Sequence, residues 1–428
     1  MIELIIFVFI LGYIFIALEH PLKIDKASSA LVTGVLCWII FVLYNGDSNS
    51  SVESLEHHIV EIAEILFFLL GAMTIVELVD SHQGFSIITN KIQTLQKVKL
   101  LWILSFITFF FSAVLDNLTT AIVMATLLPR LIKEKHDIWF FAGMIILAAN
   151  AGGAWSPMGD ITTIMLWIDG QVSLKIIPAI FLPSLICMLV PLIYLSFNLK
   201  GKVARPIEDK IIDNQNFNVT LFERNFVFIA GFLGLLFVPV FKIITHMPPY
   251  MGMLLSLGVL WMMTEILHRK KDLETRLSLT VVGVLKKIDV ATIYFFLGIL
   301  LAVGVLQSTG LLAQLANFLD NKVGDIYVIN FIIGLLSAIV DNVPLVAGAQ
   351  GMYPIESFGD FAKDGQFWQF LAYCAGTGGS VLIIGSAAGV AVMGILKIDF
   401  MWYVKTISLL AFLGYISGAA TYVLLQLI

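Results

Sequence analysis

The chain has 428 residues, of which 59% are apolar and only 13% are charged, and its mean hydropathy is +0.96. A soluble domain carries about 25% charged residues, so this composition excludes a soluble globular protein and indicates one that crosses a lipid bilayer many times. The net charge of −5 is small and does not indicate a nucleic-acid partner. Three cysteines, Cys37, Cys187 and Cys374, lie in apolar runs, which favours small core residues over a disulfide framework or a metal site.

Eight apolar runs are long enough to cross a bilayer, which takes about 20 residues. They cover approximately residues 2–19, 28–45, 60–80, 178–198, 225–243, 249–267, 289–307 and 404–427. The first run lacks a basic start and a small-residue cleavage site, so we interpret it as a retained span and not as a signal peptide. These runs predict an all-α polytopic membrane protein.

Two further apolar runs, 100–130 and 327–353, are divided near the middle by Asp116-Asn117 and Asp341-Asn342. Each half has about 14 residues, which is too short to cross a bilayer. Each run therefore predicts a re-entrant hairpin that enters and leaves the membrane on one face.

Two long apolar runs, 138–169 and 368–396, are broken by the sequences "NAGGAWSPMGD" and "GTGGSVLIIGS". We interpret both as broken transmembrane helices. Irregular backbone at membrane depth is tolerated only where protein or a water-filled cavity satisfies its polar groups.

The two halves of the chain match at a nearly constant offset, as shown by Asp341, which lies 225 residues after Asp116. The predicted organisation is repeat 1 over residues 1–198, a cytoplasmic linker over 199–224 and repeat 2 over 225–428. Each repeat holds five spans and one hairpin, and an odd number of crossings turns the second repeat upside down. The predicted fold is therefore two inverted-topology repeats, as in many secondary transporters.

The positions of the basic residues predict the orientation. With the N-terminus outside, 21 of the 25 Lys and Arg residues, Lys26 among them, fall in cytoplasmic segments. This asymmetry follows the positive-inside rule. It predicts that residues 46–58 form an outer loop, that residues 131–136 face the cytoplasm, and that the first hairpin opens inward and the second outward.

Three carboxylates lie inside the breaks, and each costs roughly 2.5–3.5 kcal/mol in the membrane core. They are Asp116, Asp160 and Asp341, and the polar residues around them are Asn117, Thr119, Thr120, Asn150, Ser156, Thr162, Thr163, Asn342, Thr377, Ser380 and Ser386. No Lys or Arg occurs in residues 100–129, 138–168, 327–353 or 368–396. Such an oxygen-rich set without cationic groups suits a hard cation better than a free anion.

Helix capping is the alternative interpretation of these carboxylates. Each Asp precedes a possible helix restart, and Asp is a good N-cap at the positive end of a helix. Capping and ion binding are compatible, because one carboxylate has several lone pairs. Glu64 and Glu77, beside the third span, are weaker candidates for a proton path.

The motifs "LDNLTTAIVM", "AANAGGAWSPMGDITTIMLW" and "GTGGSVLIIGSAAGVAVMG" closely resemble those of the NhaD-type sodium/proton antiporters, which belong to the ion transporter superfamily. The resemblance covers essentially the whole chain. It implies exchange of Na⁺ or Li⁺ for H⁺ in the bacterial inner membrane by a homodimer of inverted repeats. By matching motifs it implies that the cation and proton bind at Asp116, Asn117, Asn150, Asp160, Thr162, Thr163, Asp341, Asn342 and Ser380.

The repeats differ in their acids, because Asp160 aligns with Ser386 and Asn150 aligns with Gly376. This favours one dominant Na⁺ site around Asp116 and Asp160, with Asn117 and Asn150 as further ligands. Asp341 then supports the site or carries a proton.

Two other classes of function compete with the antiporter. An anion or arsenite transporter would share the architecture, and a neutral arsenite would escape the argument from missing basic residues. An intramembrane enzyme is disfavoured, because the Tyr-Asp with Gly-x-Gly-Asp pattern and the His-Glu-x-x-His pattern are both missing. The sequence predicts a transporter without a resident cofactor, whose partners are Na⁺, Li⁺, H⁺ and the lipid bilayer.

Overall fold

The computed structural model describes residues 2–17, 19–45, 48–89, 92–204 and 219–427. The described residues are mostly helical, and strand pairing among them is limited to two isolated bridges. Much of the predicted linker, residues 205–218 with Arg205 and Lys210, lies outside the described residues.

The longer helices of the first half follow the order of the predicted spans and breaks. They are α1 (Ile2–Ala17), α2 (Lys26–Tyr44), α3 (Ser48–Ser81), α4 (Lys97–Leu115), α5 (Asn117–Leu131), α6 (Lys135–Ala154), α7 (Ile161–Ile168) and α8 (Ile176–Asn198). Helices α4 and α5 form the first hairpin, and α6 and α7 form the first broken helix.

The second half repeats this order with one added helix, α12. Its longer helices are α9 (Leu221–Thr245), α10 (Pro249–His268), α11 (Val290–Ser308), α12 (Leu311–Lys322), α13 (Ile326–Leu336), α14 (Asn342–Met352), α15 (Gln366–Gly378), α16 (Ala387–Leu396) and α17 (Leu409–Gln426). Helices α13 and α14 form the second hairpin, and α15 and α16 form the second broken helix. The inversion of one half relative to the other stays a prediction.

Nine helices among the described residues are long and apolar enough to cross a membrane. The chain is therefore an all-α polytopic membrane protein, as its composition predicts. Cys37, Cys187 and Cys374 are buried and unpaired, which confirms their assignment as core residues.

Two predicted boundaries are wrong. Helix α3 begins at Ser48 and runs for 34 residues, so residues 48–58 extend the span instead of forming a loop; no Gly or Pro interrupts them. Helix α4 has 19 residues instead of about 14 and is long enough to cross a membrane. It includes Lys97 and Lys99, whose long side chains can carry their charge to the membrane surface while the backbone stays helical.

Each broken helix packs tightly against the first limb of its hairpin. A Cβ atom at Gly152 would overlap the carbonyl oxygen of Phe109, and one at Gly378 would overlap that of Gly334. Small residues allow helices to approach this closely in membranes. Both glycines are still helical, so their role is close packing, and the breaks follow them.

Segments predicted to share a membrane face lie together. On the predicted cytoplasmic face, the Lys133 amide donates to the carbonyl oxygen of Ala204 at 2.8 Å. On the predicted outer face, the Ser173 hydroxyl donates to the Asp364 carboxylate at 2.8 Å. These contacts agree with the predicted grouping of the loops, whereas the absolute orientation remains a prediction.

Candidate functional site

The polar breaks of both hairpins and both broken helices meet in the interior of the protein. The predicted site residues that are buried are Asp116, Asn117, Asn150, Asp160, Thr162, Thr163, Asn342, Thr377, Ser380 and Ser386. Thr119 and Asp341 are partly buried. The structure thus brings residues from distant parts of the sequence into one region.

Asp160 is both a helix cap and the centre of a wider network. Its Oδ1 accepts a hydrogen bond from the Thr162 amide at 3.0 Å, and the Thr163 hydroxyl completes a capping box at the start of α7. Its Oδ2 accepts a hydrogen bond from Asn117 Nδ2 at 2.7 Å. Capping therefore occupies only part of this carboxylate, which is 1% exposed.

The tips of both hairpins reach this one carboxylate. Asn117, at the tip of the first hairpin, donates to Asp160, and its Nδ2 also lies 3.1 Å from Asn150 Oδ1. Asn342, at the tip of the second hairpin, places its Nδ2 3.4 Å from Asp160 Oδ1 and 3.3 Å from Oδ2. A single carboxylate of the first half is thus shared between the two halves of the chain.

Asn150 carries the network into the second broken helix. Its Nδ2 donates to Ser380 Oγ at 2.9 Å and to Ser386 Oγ at 3.0 Å. Ser386 also caps α16 by accepting the Gly389 amide at 3.1 Å. The Thr377 hydroxyl donates to the Tyr373 carbonyl within its own helix, so its hydrogen is directed away from Asn150.

Asp116 holds a separate position at the tip of the first hairpin. Its backbone has φ 76° and ψ 160°, and it caps α5. Its Oδ1 accepts the Thr119 amide and its Oδ2 accepts the Thr119 hydroxyl, both at 2.8 Å. Asp116 and Asp341 both lie close enough to Asp160 to repel a negative charge there.

Asp341 is paired with a residue that the sequence analysis assigned only to a cytoplasmic segment. Its Oδ1 accepts the Val343 amide at 3.2 Å, and its Oδ2 lies 3.7 Å from Lys26 Nζ. The breaks themselves contain no basic residue, as the sequence shows, but Lys26 from a different helix lies beside Asp341. Lys26 is the first residue of α2 and lies far from the second hairpin in the sequence. Its sequence position therefore does not predict the contact with Asp341.

One oxygen beside Asp160 lacks a hydrogen-bond partner among the described residues. It is the buried Oγ1 of Thr162. Carboxylate, hydroxyl and amide oxygens are the ligands that hard cations prefer. Because an Asn amide offers an oxygen or two N–H donors depending on its rotation, Asn117 can turn either group towards Asp160. These residues fit a small monovalent cation as a transported substrate.

Two cavities border the helices that follow the breaks, and they are named the outer and the inner cavity after the membrane faces that the sequence predicts for their lining segments. The outer cavity has a volume of about 260 Å³, and its polar lining residues are His58, Glu61, Asp169, Gln171, Gln307 and Gln350. The inner cavity has a volume of about 200 Å³ and includes Lys26, Leu118 and Ala387 in its lining. Leu118 and Ala387 follow closely on Asp116 and Ser386, so this cavity leads to both breaks.

The candidates for a separate proton path are not among the residues that line these two cavities. Glu77 Oε1 is 3.8 Å from Lys287 Nζ, and neither Glu64 nor Glu77 lines the inner or outer cavity. The sequence gives no signal for the outer cavity, because its acidic and amide residues come from distant segments of the chain. His58, which falls in the predicted outer loop 46–58, lies on helix α3 instead.

Interrupted membrane helices that bring together buried carboxylates are typical of transporters. The family model described as Citrate transporter (CitMHS) matches residues 13–369, and the chain belongs to this family.

Relatives in plants and bacteria carry names that agree with the resemblance found in the motifs. Sodium/proton antiporter 1 of Arabidopsis thaliana is 45% identical over 96% of this chain and 70% of its own length. Sodium/proton antiporter 2 of the same plant is 43% identical over 96% of this chain and 97% of its own. The Na(+)/H(+) antiporter NhaD of Vibrio cholerae is 31% identical over 98% of this chain and 91% of its own.

Proposed function

We propose that the protein exchanges Na⁺ for H⁺ across a membrane by alternating access, with both ions competing for the Asp160 carboxylate. The observation that carries this proposal is that Asp160 receives amide groups from the tips of both hairpins. A shift of either hairpin changes the ligands offered to an ion at Asp160. The names of the relatives support Na⁺ and H⁺ as the substrates.

In this mechanism a proton and Na⁺ exclude one another. Na⁺ needs the negative charge of Asp160, and a proton on that carboxylate removes it. Asn117 and Asn150 turn amide oxygens towards the ion, and Thr162 supplies its unpartnered hydroxyl oxygen. Asp116 lies next to the residues that line the inner cavity. Its Oδ2, which accepts the Thr119 hydroxyl, can bind the ion in place of that hydroxyl.

The remaining candidate residues support this arrangement. Thr163 fixes Asp160 through the capping box, and Ser380 and Ser386 orient Asn150. Asn342 brings the second hairpin to Asp160, and Asp341 anchors that hairpin tip through the Val343 amide. Thr377 has a minor role, because its hydroxyl is bonded within its own helix.

Anion transport is the competing function, because the description of the matching family names citrate. A citrate anion in this region would meet three carboxylates, Asp116, Asp160 and Asp341. Like charges at short distance in a medium of low dielectric constant repel by several kcal/mol. Lys26, the basic residue nearest to Asp341, already pairs with it. The electrostatics therefore favour a cation over citrate. A neutral arsenite escapes this argument, but the names of the relatives favour Na⁺ and H⁺ over it.

The test is transport by the purified full chain in proteoliposomes that carry an internal pH-sensitive dye and an imposed pH gradient. We expect addition of Na⁺ to dissipate the gradient, Li⁺ to substitute for it, and K⁺, citrate and arsenite to have no effect. A response to citrate or arsenite with none to Na⁺ would show that the protein is an anion or arsenite transporter.

We also propose an orientation with the N-terminus outside and the lysine-rich loops in the cytoplasm, within a bacterial inner membrane and as a homodimer. The positive-inside asymmetry supports the orientation, and the match in helix order supports an inverted pair of repeats over residues 1–198 and 225–428.

The orientation predicts a labelling pattern. In intact cells a membrane-impermeant maleimide should label Glu53→Cys, whereas Lys200→Cys should react only after the membrane is opened. Both positions are exposed, and the three native cysteines are buried, so the unmodified chain serves as the background control. Labelling of Lys200→Cys alone in intact cells would reverse the proposed orientation.

A further inference from the structure

We propose that Lys26, which lines the inner cavity, is a tethered ammonium that neutralises Asp341, so that the second hairpin binds no transported cation. This inference rests on the proposed function and specifies it further. It assigns the transported ion to the Asp160 side of the site and makes Lys26 a positioning residue.

The geometry directs the ammonium group towards the hairpin tip. Lys26 Nζ lies 3.7 Å from Asp341 Oδ2 and 4.4 Å from the centre of the Phe295 ring. A carboxylate and an aromatic face are both favourable neighbours of an ammonium group. With the side chain only 22% exposed, the ion pair is shielded from solvent and is stronger than a surface pair.

Two other acids that line the inner cavity, Asp25 and Asp289, have different partners. Asp25 Oδ1 accepts the Ala27 amide at 2.7 Å and caps α2. Asp289 accepts the Thr292 amide at 3.2 Å and the Thr292 hydroxyl at 2.6 Å. Among the described residues, the Lys26 ammonium forms its ion pair with Asp341 and with neither of these two carboxylates.

The pairing has a consequence for the number of ions bound. Asp341 is the one acid in the breaks of the second half. An ammonium group already compensates its charge, so a second Na⁺ would have to displace Lys26 against its own repulsion. Asp116 and Asp160 have no such counter-ion among the described residues, and they are left as the carboxylates that a transported cation can neutralise.

The test measures equilibrium binding of radioactive Na⁺ to the purified full chain, together with exchange in proteoliposomes. Lys26→Gln leaves Asp341 without its counter-ion. We expect it to raise the amount of Na⁺ bound from about one to about two per chain, or to lower the half-saturating Na⁺ concentration about tenfold. Lys26→Arg should restore the native values. Lys23→Gln, an exposed neighbour three residues away, is the matched control and should behave like the native chain.

A purely structural role for Lys26 would lower the stability of Lys26→Gln and leave the bound Na⁺ unchanged, which would overturn the inference. If Lys26→Gln does not fold, the double variant K26Q/D341N, which leaves no unpaired charge, carries the test. It should still bind about one Na⁺ per chain, and loss of binding would show that Asp341 holds the ion. Lack of Na⁺/H⁺ exchange by the native chain would refute the proposed function instead, which separates the two failures.

Discussion

Asp160→Asn is expected to abolish Na⁺-dependent proton movement, with a loss of at least about 100-fold in initial rate, while the protein stays folded. The amide keeps the shape of the side chain and remains a good N-cap, so α7 should still begin at the same residue. It lacks the negative charge that both Na⁺ and H⁺ need. The measurement is dye-monitored exchange in proteoliposomes, with the melting temperature in detergent as the check on folding.

The chain offers a matched control in Asp325→Asn. Asp325 also caps a helix, accepting the Tyr327 and Val328 amides at 2.8 and 3.0 Å, but it is exposed and lies outside the site. This variant should exchange at close to the native rate. Near-native exchange by Asp160→Asn as well would reduce Asp160 to a helix cap and remove the centre of the proposed mechanism.

The apparent affinity for Na⁺ is expected to strengthen by about tenfold per pH unit over the range in which one bound proton is displaced. It should then level off at higher pH, once the site carboxylate is ionised without Na⁺. The sign follows from competition: below this plateau each Na⁺ that binds must release a proton, so a rise in pH favours binding. The charges of Asp116 and Asp341 lie near Asp160, so the observed transition belongs to the coupled group and not to one residue.

Isothermal titration with Na⁺ in buffers of different ionisation enthalpy reports the proton release directly. The heat should vary with the buffer below the plateau and become independent of it above. An affinity that is flat between pH 6 and 9, with no buffer dependence, would show that Na⁺ and H⁺ use separate paths. Glu64 would then be the next candidate, because Glu77 is paired with Lys287.

The interrupted runs made much of the fold predictable. In a bilayer an apolar segment must satisfy its backbone within a helix, so an Asp-Asn pair in the middle of such a run marks a break. The helix interruptions at Asp116, Asp160, Asp341 and Ser386 lie where these runs predict them, whereas the re-entrant course of the two hairpins stays a prediction. The prediction that carboxylates and amides gather there also holds, since Asn117 and Asn342 both lie at Asp160.

Contacts between distant parts of the chain could not be predicted in the same way. Lys26 and Asp341 are 315 residues apart, and the spacing of residues in the sequence does not show which lysine contacts a buried carboxylate. Part of the outer cavity is lined by the first half of α3, and the apolar run at 60–80 does not reveal that this helix begins at Ser48. A polar helix that projects beyond the membrane has the composition of a loop, and only the absence of Gly and Pro distinguishes it.

The backbone of Asp116 has a consequence for the evolution of the protein. Its φ of 76° and ψ of 160° fall in a region that glycine occupies freely and that costs other residues about 1–3 kcal/mol. Two hydrogen bonds with Thr119 offset part of this strain, at about 1 kcal/mol each. Glycine at this tip would remove the strain together with both hydrogen bonds, whereas the proposed exchange needs a carboxylate there. Asp116 is therefore a position where the backbone conformation favours glycine and ion transport requires an acid.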